Sequence, residues 1–293
     1  MDLKNILVPL TYGDIRGRSV LDVSSTIALA CKAHMDGLFV SQYMPQFSSV
    51  GNMSGSAALA VLEDAKREAE EASDAALEEF KLYVASRDLP FQDPEIGVEQ
   101  ASAGWLSVNG NGIFEISKWG CIADMIVVER PNSGHEPDGS AIAEAALTRT
   151  RKPVLVVPVS FGADEIKDKI EDWKVLVCWN RSAHAASAAS NALPILKRAK
   201  KVELLNILTD AKEGPSASDF ANYLGRHGVR ASVKEVEPSA RAVGPAILEE
   251  AHTQSADLIV MGAYSYSRLR ALIMGGVTRH VLDSAEIPVM MTR

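Results

Sequence analysis

The chain has 293 residues, of which 47% are hydrophobic and 23% charged, and its formal net charge at pH 7 is −8. These proportions are typical of globular proteins and argue against a disordered chain. The acidic balance argues against a nucleic-acid-binding surface, which needs clustered Lys and Arg to neutralise phosphates. Because no run approaches the roughly 18 apolar residues of a membrane span and no signal-type leader is present, a cytoplasmic protein without membrane insertion is expected.

The first half alternates short apolar runs with segments of helical periodicity, which is the pattern of βαβ units around a parallel sheet. Strands are predicted near residues 5–9, 36–41, 95–100, 124–128 and 154–158. Helices are predicted near residues 18–34, 56–86, 111–121 and 139–150.

The predicted helix near 56–86 is much longer than its counterpart in the second half. One face is densely charged, and apolar residues recur along the other at helical spacing. These are Leu59, Leu62, Ala65, Ala69, Ala72, Ala76 and Phe80. The ordinary interpretation is one solvated face and one packed face; a partner-binding surface along this helix is the alternative.

The second half repeats the alternation of strands and helices. Strands are predicted near residues 174–179, 202–208, 230–236, 257–261 and 288–291. Helices are predicted near residues 182–199, 216–227, 243–254 and 277–285. The strand runs are continuously apolar, as expected where helices cover both faces of a parallel sheet.

Three sequence matches indicate an internal repeat. The matched pairs begin at Asn5 and Lys174, at Ala123 and Ala256, and at Lys152 and Ile287. The chain is therefore predicted to be two tandem doubly wound α/β units, each with a five-stranded parallel sheet flanked by helices. A polar segment over 161–169 is interpreted as the linker, which gives domains 1–165 and 166–293.

The strongest chemical signal follows the fourth strand of the second half. An apolar strand ends at Met261-Gly262, a polar loop containing Ser265 follows, and Gly275-Gly276 precedes a helix that starts near Val277-Thr278. Glycines permit close approach of a ligand to the backbone, and free N–H groups at a helix start attract phosphate. These residues are predicted to form an anion-binding loop.

At these residues the sequence resembles the universal stress protein family. The runs Ser267–Arg270 and Gly276–Arg279 also resemble its tandem bacterial members, and the resemblance covers both halves in strand order. The ATP-binding members carry Gly-x-x-Gly, nine residues, and then Gly followed by a small residue. Gly262 matches the first glycine, Ser265 replaces the second, and Gly275-Gly276 closes the motif. The resemblance implies an adenine nucleotide alpha hydrolase-like fold that binds ATP, with Mg, or a related adenine nucleotide.

The resemblance also implies contacts with adenine and ribose at the ends of the first two strands of this half. The matching residues are Trp179 and Asn180 after the first strand and Ile207 at the end of the second. Ligands of open α/β sheets bind at the carboxyl ends of the strands, which agrees with this placement. The alternatives are that Asn180 caps the following helix and that Trp179 is a core residue.

The corresponding loop of the first half lacks these features. Glu129 occupies the place of the first glycine, Pro131 and Pro137 remove N–H donors, and Thr11 stands where a polar contact to the nucleotide is expected. Added acidic groups repel phosphate. We predict that the first half does not bind ATP in the manner of the family.

No catalytic residue or metal ligand is assigned, because the chain has no Walker-type loop, paired metal carboxylates or arranged Ser-His-Asp set. The expected function is a nucleotide-responsive stress regulator with at most weak ATP hydrolysis. A nucleotide-independent scaffold is the alternative, and an enzyme of the same fold superfamily is a third hypothesis. The resemblance further implies an internal pseudo-dimer through the fifth strands, with room for homo-oligomers. The widely spaced Cys31, Cys121 and Cys178 are expected to be buried, reduced thiols.

Overall fold

The computed structural model describes most of the chain. The described residues are 2–10, 18–41, 55–92, 99–130, 137–159, 161, 166–208, 214–237, 242–263 and 276–293. They form an α/β fold of two units, each with helices on both faces of a parallel sheet, as predicted.

The first unit has five strands and four α-helices within the described residues. In chain order these are β1 (Asn5–Leu10), α1 (Arg18–Cys31), β2 (His34–Ser41), α2 (Gly55–Ser86), β3 (Ser102–Asn109), α3 (Gly112–Trp119), β4 (Met125–Arg130), α4 (Pro137–Arg149) and β5 (Val154–Pro158).

The second unit repeats this order within the described residues. Its elements are β6 (Lys174–Trp179), α5 (Ala183–Leu196), β7 (Lys201–Ile207), α6 (Ala217–Arg226), β8 (Ala231–Val236), α7 (Val243–Thr253), β9 (Leu258–Gly262), α8 (Gly276–Ser284) and β10 (Val289–Thr292).

All ten strands form one sheet in the order β3-β2-β1-β4-β5-β10-β9-β6-β7-β8. Neighbouring strands are parallel within each unit, and the two units meet where β5 pairs antiparallel with β10. The register joins Val154 to Met291, Leu155 to Met290 and Val156 to Val289. The two five-stranded sheets are therefore one continuous mixed sheet.

The third strand is the main correction to the predicted elements. It was expected near 95–100, whereas β3 spans Ser102–Asn109 and pairs with β2 from His34 onward. Residues 93–98 lie outside the described residues, while 99 and 100 are not in a strand. The strand is at the edge of the sheet and mixes Ser, Gly and Trp, so it lacks the continuous apolar run that marks a central strand.

The hydrophobic core is shared between the units on both faces of the sheet. One cluster joins Val8 and Leu155 of the first unit to Val177 and Met290 of the second, and the other face is joined in the same way. The segment interpreted as a polar linker also contributes to this core, because Phe161 and Ile166 are buried. The boundary at residue 165 remains a prediction.

The sequence repeat extends to matching side-chain contacts. The carboxylate of Asp124 accepts hydrogen bonds from the backbone N–H groups of Lys4 and Asn5, both at 2.9 Å. In the second unit the carboxylate of Asp257 accepts the N–H of Lys174 at 2.7 Å and also pairs with Lys167. Each aspartate thus fixes the start of its unit's first strand to the start of the fourth.

Helix α2 has 32 residues and packs closely only near its end. Phe80 is fully buried, but Leu59 at the other end of the predicted apolar face is 60% exposed. Pairs such as Lys66–Glu70 and Arg67–Asp64 lie on the charged face. The first turns of α2 therefore extend beyond the core that holds its last turns.

Within the part of the chain that the structure describes, no helix combines the length and the hydropathy that a membrane crossing requires.

The cysteines differ in their surroundings, and the expectation that all three are buried is wrong for Cys121, which is exposed. Cys31 is buried, and burial raises the pKa of its thiol. Cys178 on β6 is half-buried as a residue, and burial of its thiol raises its pKa to about 12.

Removing the repeated carboxylate should destabilise the fold. We expect Asp257→Ala to lower the free energy of unfolding by about 1–3 kcal/mol, since it leaves the partly buried N–H of Lys174 without its charged acceptor. Urea denaturation followed by circular dichroism measures the change. The surface variant Glu99→Gln is the control, with a change within about 0.5 kcal/mol. An Asp257→Ala protein as stable as this control would contradict the strand-fixing role.

Thiol reactivity should separate the three cysteines. At pH 8, iodoacetamide should modify Cys121 first, because the reactive thiolate is scarce at Cys31 and Cys178. Peptide mass spectrometry after timed quenching measures the order, and Cys121→Ser should remove the fast phase. Equal rates at Cys121 and Cys178 in the folded protein would contradict the raised thiol pKa.

Candidate functional site

The candidate site lies at the carboxyl ends of β6 and β9, which are neighbours in the sheet. From β6 the chain proceeds outward through β7 and β8, and it then returns to β9 and β10 on the other side. Connections that diverge to opposite sides leave a crevice at such a point, and ligands of open α/β sheets bind there. The topology thus places a crevice where the sequence predicts a nucleotide.

A three-residue loop connects β6 to α5. The side-chain oxygen Oδ1 of Asn180 accepts hydrogen bonds from the N–H and the hydroxyl of Ser182, at 3.3 and 2.6 Å. The hydroxyl of Ser182 in turn accepts the N–H of Ala185 at 3.1 Å and is the N-cap of α5. Asn180 is therefore not the cap; it holds the residue that is the cap, and it remains exposed at the crevice.

Arg181 is a further residue of this loop, and it differs from its neighbours in its backbone conformation. Its φ of +62° lies in the left-handed region, which costs about 1 kcal/mol or more for a residue with a Cβ. Other described residues with positive φ, such as Lys32 and Ser255, follow the ends of helices, where this conformation is common. Arg181 instead follows a strand at the crevice, and a single sequence shows no pattern that marks it.

Trp179 is placed in the core. It is 4% exposed, its ring stacks on Phe220 with centroids 3.9 Å apart, and its indole N–H donates to the carbonyl of Pro215 at 3.2 Å. The geometry favours the core alternative, in which Trp179 fixes β6 to α6.

Gly262 ends β9 directly against the first turn of α5. A Cβ at this position would lie 2.7 Å from the amide nitrogen of Ala185 and 2.8 Å from the carbonyl carbon of His184. Only glycine fits without moving one of the two elements. The sequence predicts close approach of a ligand to this glycine; in the structure, the close neighbour is the backbone of α5.

The first turn of α8 follows the predicted loop. Gly276 is exposed, and a Cβ there would meet no atom within 4 Å, while Val277 is also exposed and Thr278 is buried. Because α8 leads into β10, which is parallel to β9, its N-terminal end lies at the carboxyl edge of this unit's sheet. Its first N–H groups therefore lie on the same edge as Asn180 and Gly262. Ser265 and Gly275 fall outside the described residues.

Two further residues predicted to meet the nucleotide have buried, apolar side chains. Ile207 and Met261 are buried at the ends of β7 and β9 and belong to one hydrophobic cluster with Val281 and Leu282 of α8. This cluster lies beneath the crevice and fixes α8 to the sheet.

The equivalent edge of the first unit carries larger side chains. Glu129 and Arg130 end β4 at the positions that match Gly262 and Ala263, so no glycine is present at the end of this strand. Thr11, Pro131 and Pro137 cannot be compared, because the first two lie outside the described residues and nothing is described of the third side chain.

Among the described residues, no group of three or more His, Cys, Asp or Glu side chains is arranged to hold a metal ion.

The sequence of the second unit decides its family. Residues 174–293 match the model of the universal stress protein family. These residues form a universal stress protein domain. The match begins at the first residue of β6 and includes the crevice, so the resemblance seen in the glycine motif is confirmed for this half of the chain.

Solved structures share the fold of the whole chain. A universal stress protein from Archaeoglobus fulgidus is 18% identical with a TM-score of 0.67, covering 99% of this chain and 98% of that one. A functionally unknown protein from Pseudomonas aeruginosa is 16% identical with a TM-score of 0.57, covering 99% and 92%. No curated protein matched the sequence. At these identities the similarity shows the fold alone.

The same fold also occurs outside stress proteins. The cytoplasmic domain of a prokaryotic cation chloride cotransporter is 12% identical with a TM-score of 0.51, covering 99% of this chain and 95% of that one. The two-unit fold therefore does not by itself assign a function.

Gly262 and Gly276 of the universal stress protein domain should respond differently to an added methyl group. Gly262→Ala should lower the free energy of unfolding by about 1–3 kcal/mol, because the Cβ overlaps the backbone of α5. Gly276→Ala should be neutral or stabilising by up to about 1 kcal/mol, since it adds a helix former in open space. Urea denaturation without nucleotide measures both. Equal effects would show that the approach of α5 is not what requires glycine at 262.

Proposed function

We propose that the universal stress protein domain, taken as residues 166–293, binds ATP or a related adenine nucleotide, and that occupancy makes the chain a nucleotide-responsive regulator in the stress response. The observation that carries this proposal is the concentration of helix starts at one crevice. The N-terminal ends of α5 and α8 lie at the carboxyl edge of the sheet, with glycines at 262 and 276. The positive ends of the two helix dipoles attract phosphate there, and so do the N–H groups in the first turn of α8.

The described geometry suggests how each part of the nucleotide would bind. The phosphates would lie at Gly262 and the first turn of α8, between Gly276 and Thr278. The ribose would meet the exposed Asn180, and the adenine edge would meet the backbone at Ile207. Mg²⁺ would accompany ATP through the phosphate oxygens, since this ion commonly keeps water and phosphate ligands.

Arg181 adds a cation to this proposal. The loop holds it in a costly backbone conformation between the hydrogen-bonded Asn180 and Ser182, at the edge where phosphate would bind. Strained residues are frequent at ligand sites, where the surrounding contacts offset the cost. We therefore include Arg181 among the residues proposed to meet the nucleotide.

The first unit is proposed as a scaffold, because Glu129 replaces the glycine of the strand end and brings a negative charge. In this proposal the two units form an internal pseudo-dimer through β5 and β10, and the protein acts in the cytoplasm. Regulation rather than catalysis is proposed, because the side chains described at the crevice, which leave out residues 264–275, include no arrangement that suggests a general base or nucleophile.

A second candidate function is a nucleotide-independent interaction module. The observation in its favour is α2, whose first turns extend beyond the core with Leu59 60% exposed. A long helix with a partly exposed apolar stripe is a common docking surface for a partner helix or groove. The interaction module would be the favoured function if the calorimetry described below detects no binding of Mg·ATP.

Calorimetry with Mg·ATP tests nucleotide binding. The unmodified chain should bind, and Gly276→Glu should raise the dissociation constant at least about tenfold, since a carboxylate in the first turn of α8 repels phosphate. Gly225→Glu is the matched control, because it adds the same charge at another glycine with open space. Gly225 is near the end of α6, at the opposite edge of the sheet, so this variant should bind normally.

Two other results would reject or change the proposed function. No heat of binding with Mg·ATP, together with no nucleotide released when the purified chain is denatured, would reject the proposal. Phosphate release above a buffer blank, lost in Gly276→Glu, would instead show that the domain is an ATPase.

A further inference from the structure

Arg130 of the first unit contacts the second unit at one specific place. It is the last residue of β4, and its Nη1 donates a hydrogen bond to the carbonyl of Leu282 at 3.1 Å and another to the carbonyl of Ala285. Leu282 is in the last turn of α8, and Ala285 directly follows the helix. One guanidinium group therefore caps the C-terminal end of a helix in the other unit.

The antiparallel pairing of β5 and β10 explains this contact. Arg130 is beside Pro158 at the end of β5, and near that end Val156 pairs with Val289, the first residue of β10. Because α8 ends just before β10 begins, its last carbonyl groups lie next to the carboxyl edge of the first unit. In the first unit this is the edge where a nucleotide would bind.

The cap has a clear physical value. The last four carbonyl groups of a helix have no partner within the helix, and a cation there also complements the negative end of the dipole. Arginine stays charged and offers several N–H donors, so it can serve two carbonyls at once. Burial lowers the pKa of Arg130, an effect that the nearby Asp283 and Glu286 oppose.

The opposite end of α8 is the candidate phosphate site. The helix has nine residues and spans about 13 Å, so its two ends are close and mechanically connected. A helix this short is not stable alone and depends on its packing. Besides Arg130, it is held by the buried Val281 and by His280, whose ring packs against Gly244 of α7.

We propose that Arg130 is a positioning residue that makes the nucleotide site of the second unit depend on the first unit. By fixing the end of α8, it sets the place of the first-turn N–H groups that would receive the phosphates. The inference rests on the proposed nucleotide binding, while the clamp on α8 exists without a ligand.

Among the described residues of the second unit, the matching position offers no equivalent clamp in return. The position that matches Arg130 is Ala263, which is buried and whose N–H donates to the carbonyl of Thr292. At this position the contact runs one way: Arg130, next to Glu129 at the carboxyl edge of the first unit, binds the end of α8 at the amino edge of the second unit.

Two measurements on the full chain test the clamp: hydrogen exchange of the backbone amides in α8 without nucleotide, and the dissociation constant for Mg·ATP. Arg130→Ala should speed exchange in α8 about tenfold or more, since a charged hydrogen-bond donor to helix carbonyls is lost. It should also weaken ATP binding about threefold to tenfold. Arg130→Lys, which keeps the charge, should restore most of both properties.

The matched control is Arg149→Ala, which removes an exposed arginine of the first unit that packs over the ring of Phe114. It should leave exchange in α8 and ATP affinity unchanged. A merely structural role for Arg130 would lower the unfolding midpoint while leaving the ATP dissociation constant as it is, and that result would overturn the positioning role.

The outcomes separate this inference from the proposed function. Unchanged exchange in α8 of Arg130→Ala would overturn the clamp even if ATP binds normally. If the unmodified chain binds no ATP, the proposed function and the positioning role fail together, and faster exchange in Arg130→Ala would still establish the contact between units.

Discussion

Three residue pairs between β5 and β10, from Val154–Met291 to Val156–Val289, fix the orientation of the two units relative to each other. All six side chains are at most 2% exposed, so the junction is part of the core. Because the two strands run in opposite directions, the carboxyl edge of one unit is next to the amino edge of the other. A parallel junction would have put both ligand edges on the same side, with no helix end beside Arg130.

The continuity of the core has a consequence for motion between the units. Both hydrophobic clusters include residues of both units, and Ile170 and Trp173 of the connecting segment are buried among them. Loosely docked domains have smaller and more polar contacts than this. The two units are therefore expected to move together rather than as loosely docked domains, and Arg130 adds a polar contact between the first unit and α8.

The central strands of this fold could be predicted because each is a continuous apolar run. A strand needs such a run when helices cover both faces of its sheet. The edge strand β3 was misplaced for the converse reason, since Ser102–Asn109 has no such run. In the site, the need for a small residue at Gly262 could be predicted, but not that the backbone of α5 imposes it. Arg130 and Arg181 could not be predicted from the sequence. Arg130 contacts Leu282, which is 152 residues later in the chain, and Arg181 is distinguished only by its backbone conformation.

The difference between the units can be traced to one strand position. Gly262 lets the first turn of α5, which begins at Ala183, lie directly against the end of β9. With Glu129 in the place of Gly262, a helix start as close as that of α5 would overlap the side chain, since even a Cβ would lie 2.7 Å from its backbone. The end of β4 therefore carries a side chain where the end of β9 has room only for glycine, and the next residue, Arg130, binds the carbonyl groups at the end of α8.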